Sequence, residues 1–202
     1  GTISASMDGA TWRKSYTGSF YSVKGIAHGA AGFVGIGGMG TVLTSADGEK
    51  WNKRTTGVPS WLRAIVYASD RYVALGDNGT ILSSKDGTAW SRSVSGTSAP
   101  LYSIAYGKGI LVVVGGSGTI LVSSDTSNFI VVASALPNTL RGLASGGGRI
   151  VAVGEKGAIL TSGDGALWAP ALSGTRNRLN GLAHGAGGYV AVRGTAAGHA
   201  RY

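Results

Sequence analysis

The chain has 202 residues, a formal net charge of +9 and no cysteine, so disulfides and thiolate metal sites are excluded. Glycine accounts for 36 residues but proline for only 4, which predicts many tight turns and excludes a collagen-like repeat. The longest apolar run, residues 110–114, is far too short to span a bilayer.

One segment organises the chain because it returns at a constant spacing. Its copies start at residues 1, 40, 79, 118 and 157, so every interval is 39 residues. The copy at 79 reads GTILSSKDGTAW. A fixed period of this length predicts supersecondary units that stack or repeat radially. We therefore predict one domain over residues 1–202 that is built from five repeats.

Each repeat predicts four short strands, which we name A, B, C and D. In the middle of the chain they read LRAIVY (A), YVALG (B), TILSS (C) and WSRSVS (D). These segments are bounded by glycine and turn residues, and no stretch keeps a helical apolar period long enough for a helix. Four antiparallel strands per radial repeat are typical of a β-propeller blade.

The order of the strands suggests how the ends of the chain are joined. C and D strands come first, near residues 2–16, and A and B strands come last, near 178–193. We expect these two halves to pair and to complete one blade. The prediction is an all-β, five-bladed β-propeller with four antiparallel strands per blade, closed by its own terminal strands.

The turn between strands C and D carries the pattern S-x-D-G-x-x-W. The repeat at 118 departs from this pattern, with Thr126 in place of glycine and Phe129 in place of tryptophan. The conserved positions of the pattern are Asp8, Asp47, Asp86, Asp125 and Asp164, with Trp12, Trp51, Trp90 and Trp168. The pattern resembles the Asp-box (BNR) repeat of sialidases, photosystem II assembly-factor propellers and bacterial surface propellers. This resemblance covers essentially the whole chain and implies the fold, but no particular activity.

We predict that these aspartates and tryptophans are structural. An aspartate in such a turn accepts hydrogen bonds from backbone N–H groups, and the glycine supplies a positive φ. The tryptophan is a large apolar side chain suited to packing between neighbouring blades. A catalytic group has no reason to recur at five equivalent positions. The resemblance also implies that this turn lies opposite the usual binding face.

The remaining acidic residues do not indicate a catalytic pair. They are Glu49, Asp70, Asp77 and Glu155. Asp77 and Glu155 fall in B–C loops of blades that are not adjacent, whereas glycoside hydrolysis needs two carboxyl groups within about 5–10 Å. A sialidase-like site would also need an arginine cluster with a Tyr–Glu pair, and no such pair is evident. We predict a protein that is not an enzyme, with no cofactor and no metal site.

One position near the start of strand A indicates where a ligand could bind. It is occupied in turn by Lys24, Arg63, Tyr102, Arg141 and Asn180. In propellers this region surrounds the mouth of the central channel, and three cations with two neutral polar groups suit an anion or a polar ligand. Trp61 and Arg178, just upstream, could add stacking and charge. The alternative is a solvated rim without a ligand.

The sequence therefore predicts a binding or assembly scaffold for a protein or an anionic ligand. The alternatives are a carbohydrate-binding module and a sialidase-like glycoside hydrolase. An isoelectric point near 10 favours anionic polymers or glycans, with nucleic acid less favoured, or reflects only a basic surface. Exposed outer D strands could support self-association. The resemblance, together with the lack of cysteine, implies a bacterial extracytoplasmic or cell-surface setting.

Overall fold

The computed structural model describes residues 2–16, 18 and 21–193. Within these ranges, four sheets have four antiparallel strands each and two sheets have two strands each. In every four-stranded sheet the order of strands in space follows their order in the sequence. The predicted all-β class and the predicted four-stranded antiparallel sheets are confirmed.

The strands fall into a first half-blade, four complete blades and a last half-blade. The first half-blade has β1 (Thr2–Ala5) and β2 (Arg13–Tyr16). Blade 1 has β3 (Val23–Gly29), β4 (Gly32–Gly37), β5 (Thr41–Ser45) and β6 (Asn52–Thr55). Blade 2 has β7 (Leu62–Ala68), β8 (Arg71–Gly76), β9 (Ile81–Ser84) and β10 (Ser91–Ser93).

The second half of the chain repeats this arrangement. Blade 3 has β11 (Leu101–Gly107), β12 (Ile110–Gly115), β13 (Ile120–Ser123) and β14 (Ile130–Val132). Blade 4 has β15 (Leu140–Gly146), β16 (Arg149–Gly154), β17 (Ile159–Ser162) and β18 (Ala169–Pro170). The last half-blade has β19 (Leu179–Gly185) and β20 (Gly188–Arg193). Single 3-10 turns connect strands B and C at Gly38–Gly40, Gly116–Gly118 and Glu155–Gly157.

The apolar core lies between neighbouring blades. Strands B and C are covered on both faces, which explains their nearly continuous apolar runs, such as ILVVVG in β12. One cluster joins blades 2 and 3 and includes Val73, Leu75 and Ile81 together with Leu111 and Val113. Each blade therefore depends on its neighbours for the burial of its faces.

The predicted pairing of the two half-blades is not what the structure has. β1–β2 and β19–β20 form separate sheets, and among the described strands no ladder joins β20 to β1. Val190 and Val192 of β20 are therefore 67% and 57% exposed. The angle between packed sheets is set by their twist and by the side chains between them. Here the accumulated rotation does not bring β20 beside β1, and the number of five blades stays a prediction.

Candidate functional site

Every A strand contains a β-bulge at the same position. In blade 2 the register with strand B shifts between Leu62 and Ala64, so Arg63 has no partner on β8. The residues in these bulges are Lys24, Arg63, Tyr102, Arg141 and Asn180. A bulge interrupts the alternation of side chains and redirects the extra residue. The five residues that the sequence identifies as candidates therefore share one backbone feature.

The bulged residues line a common depression. Its volume is about 390 Å³, and its walls are Lys24, Arg63, Tyr102, Arg141, Arg178 and Asn180. Six of the seven candidate binding residues thus lie together. Trp61 does not belong to this lining. Its side chain packs over Gly38 and meets Tyr21 edge-on at a centroid distance of 6.3 Å, and the residue stays 44% exposed.

Two of the arginines in the depression are already paired with carboxylates. The Arg63 Nε and Nη2 groups donate to the two carboxylate oxygens of Asp77 at 2.6 and 3.0 Å. Nε and Nη2 of Arg141 donate to Glu155 Oε1 at 3.3 and 2.7 Å. The bond to Asp77 raises the pKa of Arg63, so its guanidinium is charged under all ordinary conditions. Asp77 and Glu155 therefore orient arginines and are not free carboxylates.

Tyr102 lies between these two ion pairs. Its ring is 5.2 Å from the guanidinium carbon of Arg63 and 4.8 Å from that of Arg141. Arginine above an aromatic face is attracted by the ring quadrupole, and the contact holds the planar group in place. Neighbouring blades supply the three side chains, so the packing of the blades fixes the geometry of the cluster.

The other two cations of the depression have no such partner. Within the described ranges the ion pairs at this site involve only Arg63 and Arg141. Lys24 and Arg178 therefore add positive charge that no carboxylate compensates. The sequence alone does not distinguish these four cations from one another. The structure divides them into two fixed arginines and two cations available to an anionic group.

The S-x-D-G-x-x-W turn forms the opposite end of each blade. In blade 2, Oδ1 of Asp86 accepts hydrogen bonds from the backbone N–H groups of Thr88 and Ala89 and from Oγ of Ser84, at 2.8–3.0 Å. The backbone N–H of Ala89 is the main reason that the pKa of Asp86 lies well below its usual range. The indole N–H of Trp90 donates to the carbonyl of Gly87 at 3.1 Å.

The same contacts recur in the other repeats. Backbone N–H groups also lower the pKa of Asp8, Asp47, Asp125 and Asp164. Trp12, Trp51 and Trp168 each donate an indole N–H to a glycine carbonyl three residues earlier. Thr126 takes the glycine position with φ of 67°, and its turn lacks an indole. The geometry is that of a turn held by hydrogen bonds, and it lies at the end of the blade away from the arginine cluster.

Replacing Ser84 with alanine is expected to lower the free energy of unfolding by about 2 kcal/mol. The Ser84 hydroxyl accepts a hydrogen bond from the buried Gly87 N–H at 2.8 Å, and alanine would leave this donor unpaired. Ser6→Ala is the matched control, because the equivalent Gly9 N–H is exposed and can bond to water. Chemical denaturation of both variants measures the difference. Equal losses in the two variants would contradict the role of burial.

Several solved structures of other proteins are similar to this chain. No family model and no curated protein sequence matches the chain. Among solved structures, YCF48 bound to a D1 peptide is similar, with 18% identity and a TM-score of 0.68 over 88% of this chain and 62% of that one. YCF48 from Cyanidioschyzon merolae has 19% identity and a TM-score of 0.67 over 86% and 63%. The computationally designed Ika8 protein has 17% identity and a TM-score of 0.68 over 91% and 62%.

The fold is that of a β-propeller. The chain spans less than two thirds of the length of each of these three structures. No helix in the described part of the chain could cross a membrane. The same residues contain no cluster of three or more histidine or acidic side chains that could hold a metal ion.

Proposed function

We propose that this propeller is a non-catalytic binding scaffold, and that the depression around Tyr102 binds an acidic segment of a partner protein. The observation that carries the proposal is the division of charge at this site. Arg63 and Arg141 are fixed by carboxylates, whereas Lys24 and Arg178 are available. Carboxylates of a partner can pair with the available cations, and the fixed arginines supply a rigid, planar floor.

A peptide is the ligand class that the comparisons support. One of the similar structures is YCF48 in complex with a D1 peptide, which makes a polypeptide a reasonable ligand for a propeller of this shape. The depression is composite, since each blade contributes a different side chain. A single composite site favours one asymmetric segment over several identical small ligands. A basic surface without a dedicated partner would not require arginines from two blades to meet at the tyrosine of the blade between them.

Catalysis is not part of the proposal. Asp77 and Glu155 each accept hydrogen bonds from an arginine, and neither faces a second carboxylate in the cluster. The five turn aspartates lie at the other end of the blades. The described residues of the cluster therefore provide no pair of carboxyl groups suited to the acid–base chemistry of a glycoside hydrolase. We also propose an extracytoplasmic or cell-surface setting. The resemblance to surface propellers supports it, together with the absence of cysteine.

The proposal predicts that Lys24→Ala/Arg178→Ala weakens the binding of a fluorescent acidic peptide about tenfold. A peptide with asparagine and glutamine in place of its acids tests the need for charge. Asp77→Ala is expected to strengthen binding, because it releases the Arg63 guanidinium. Fluorescence anisotropy at low and moderate salt measures these changes, and affinity should fall as salt rises.

Lys53→Ala/Arg54→Ala is the matched control, since it removes the same charge from exposed positions on β6. Equal weakening by the control would indicate a diffuse charge effect and would contradict a defined site. The carbohydrate-binding alternative rests on the exposed Trp61 beside Tyr21. A glycan-array signal lost in Trp61→Ala, with no binding of acidic peptides, would favour that alternative.

A further inference from the structure

Three large apolar side chains are exposed at the junction of blades 1 and 2, at the same end of the blades as the arginine cluster. Tyr21, Met39 and Trp61 are 39%, 44% and 44% exposed. Tyr21 lies just before β3, Met39 is the middle residue of the 3-10 turn after β4, and Trp61 directly precedes β7. We call these three residues the apolar rim. Exposed apolar side chains that lie together on one face mark a binding surface.

The framework of the repeat does not require the apolar rim. At the positions of Tyr21 and Trp61 no other repeat has an aromatic residue, and at the position of Met39 the other described B–C turns have polar residues. The counterparts are Ser60, Ala99, Asn138 and Asn177 for Tyr21, Asn78, Ser117 and Lys156 for Met39, and Ser22, Pro100, Thr139 and Arg178 for Trp61. The apolar rim is therefore a feature of this one junction and not of the repeated core.

Trp61 is held in place through its backbone and through its ring. Its carbonyl accepts a hydrogen bond from the Asp77 N–H at 3.1 Å. Its indole covers Gly38 of blade 1, where an added Cβ atom would lie 3.0 Å from the ring, and it meets Tyr21 edge-on. A side chain that is ordered before binding loses little conformational entropy when a ligand binds. The exposed part of the indole is thus a preorganised apolar surface.

The position of Gly38 connects the apolar rim to Lys24. In blades 2 and 4 the equivalent residues are Asp77 and Glu155, and each pairs with the arginine fourteen residues earlier in its own blade. Blade 1 has Lys24 at the position of the cation but Gly38 at the position of the acid. Blade 1 therefore does not supply the carboxylate that blades 2 and 4 supply, and the indole of Trp61 covers the glycine instead.

We propose that Lys24 pairs with a carboxylate of the bound segment and that the apolar rim binds an apolar side chain next to this carboxylate. The inference rests on the proposed acidic-peptide function and narrows its ligand. The segment has an acidic residue and an aromatic or large aliphatic residue within two positions of each other. Its carboxylate pairs with Lys24 as Asp77 pairs with Arg63, and its apolar side chain lies on the indole of Trp61.

The two parts of this surface have different roles in recognition. Lys24 and Arg178 attract any acidic segment, because charge attraction depends little on the shape of the ligand. An exposed, ordered tryptophan selects among such segments, since tryptophan is one of the residue types that contribute most to binding at interfaces. The apolar rim therefore determines specificity, and the cations provide the attraction.

Two fluorescein-labelled acidic peptides that differ in one residue test the inference. One has phenylalanine beside its central glutamate, and the other has alanine there. The unmodified chain should bind the phenylalanine peptide about tenfold more tightly, because the ring is buried against Trp61. Trp61→Ala should remove this preference and change the affinity for the alanine peptide by less than about twofold. Rising salt should weaken both peptides by the same factor, since only the charged contacts are screened.

Tyr106→Ala is the matched control for Trp61→Ala. Tyr106 is also 44% exposed, but it lies near the end of β11 that is away from the cluster. This variant should keep the preference for phenylalanine, and loss of the preference would contradict the assignment to the apolar rim.

Gly38→Asp gives blade 1 the acid that blade 2 has at this position. The new carboxylate should pair with Lys24, and its Cβ atom should displace the indole of Trp61. We expect binding of the phenylalanine peptide to weaken about tenfold and the preference over the alanine peptide to disappear. Unchanged binding of both peptides would overturn the role of this position.

The outcomes distinguish this inference from the proposed function. Binding of the alanine peptide with no gain from phenylalanine would overturn the role of the apolar rim and leave the acidic-peptide site intact. Failure of both acidic peptides to bind would overturn the proposed function, and this inference with it. A gain from phenylalanine that persists in Trp61→Ala would place the apolar contact elsewhere and overturn the inference alone.

Discussion

Replacing Gly79 with alanine is expected to lower the free energy of unfolding by about 3 kcal/mol or more. Gly79 has φ of +60°, and a Cβ atom at this position would overlap with the carbonyl oxygen of Thr97. The Gly79 N–H also donates to the Ala99 carbonyl at 3.0 Å, so the turn cannot move away without losing this bond. Chemical denaturation measures the loss.

Gly174→Ala separates the steric cost from the cost of a positive φ. Gly174 has φ of +69° and nothing within 4 Å of an added Cβ, so this variant should lose only about 1 kcal/mol. The equivalent glycines Gly40, Gly118 and Gly157 have the same close carbonyl as Gly79. Equal stability of Gly79→Ala and Gly174→Ala would mean that the loop over Gly79 can move, contrary to the expected steric conflict.

Gly79 and its equivalents also explain why the 39-residue period is clear in the sequence. Only glycine fits where the D–A loop crosses the start of strand C, and this requirement recurs in every blade. The Asp86 turn imposes a second recurring requirement at the other end of strand C. Local backbone constraints of this kind are visible in a sequence. The strands, their order and the turn geometry were therefore predictable.

The closure of the ring was not predictable in the same way. It depends on the rotation between blades, which results from many side chains packed across each interface, such as Val73 against Leu111. A small change in this rotation accumulates over the repeats. The sequence indicates that two half-blades exist, but not whether the array turns far enough to join them.

At the candidate site the sequence predicted a shared position on strand A, but not which of its side chains are paired with carboxylates. Comparison of the repeats identified the variable position on strand A, because a position that changes while its surroundings repeat is free of the framework. The bulge that directs these side chains leaves no clear signal. The pairing of Arg63 with Asp77 and of Arg141 with Glu155 was detectable, since both acids lie 14 residues after their arginine. Other repeats have glycine there, at Gly38 and Gly116.

Replacing Tyr72 with alanine is expected to lower the free energy of unfolding by about 4 kcal/mol. Tyr72 is fully buried between blades 1 and 2, where it packs with Val34 and Val42. Its hydroxyl donates to the Gly32 carbonyl of the neighbouring blade at 2.7 Å. Tyr72→Phe keeps the ring and should lose about 1 kcal/mol, because only this hydrogen bond is removed. Thermal and chemical denaturation measure both losses.

Which blades lose protection from amide exchange in Tyr72→Ala depends on whether the array of blades is open. In an open array each blade is stabilised only by its neighbours, so amide exchange should accelerate in blades 1 and 2 while blade 4 keeps its protection. Tyr189→Ala provides the comparison, because this equivalent tyrosine is only partly buried and contacts Gly146 and Arg149 of blade 4. It should accelerate exchange at the other end of the array. Uniform loss of protection in all blades would instead indicate a closed, cooperative ring within one chain.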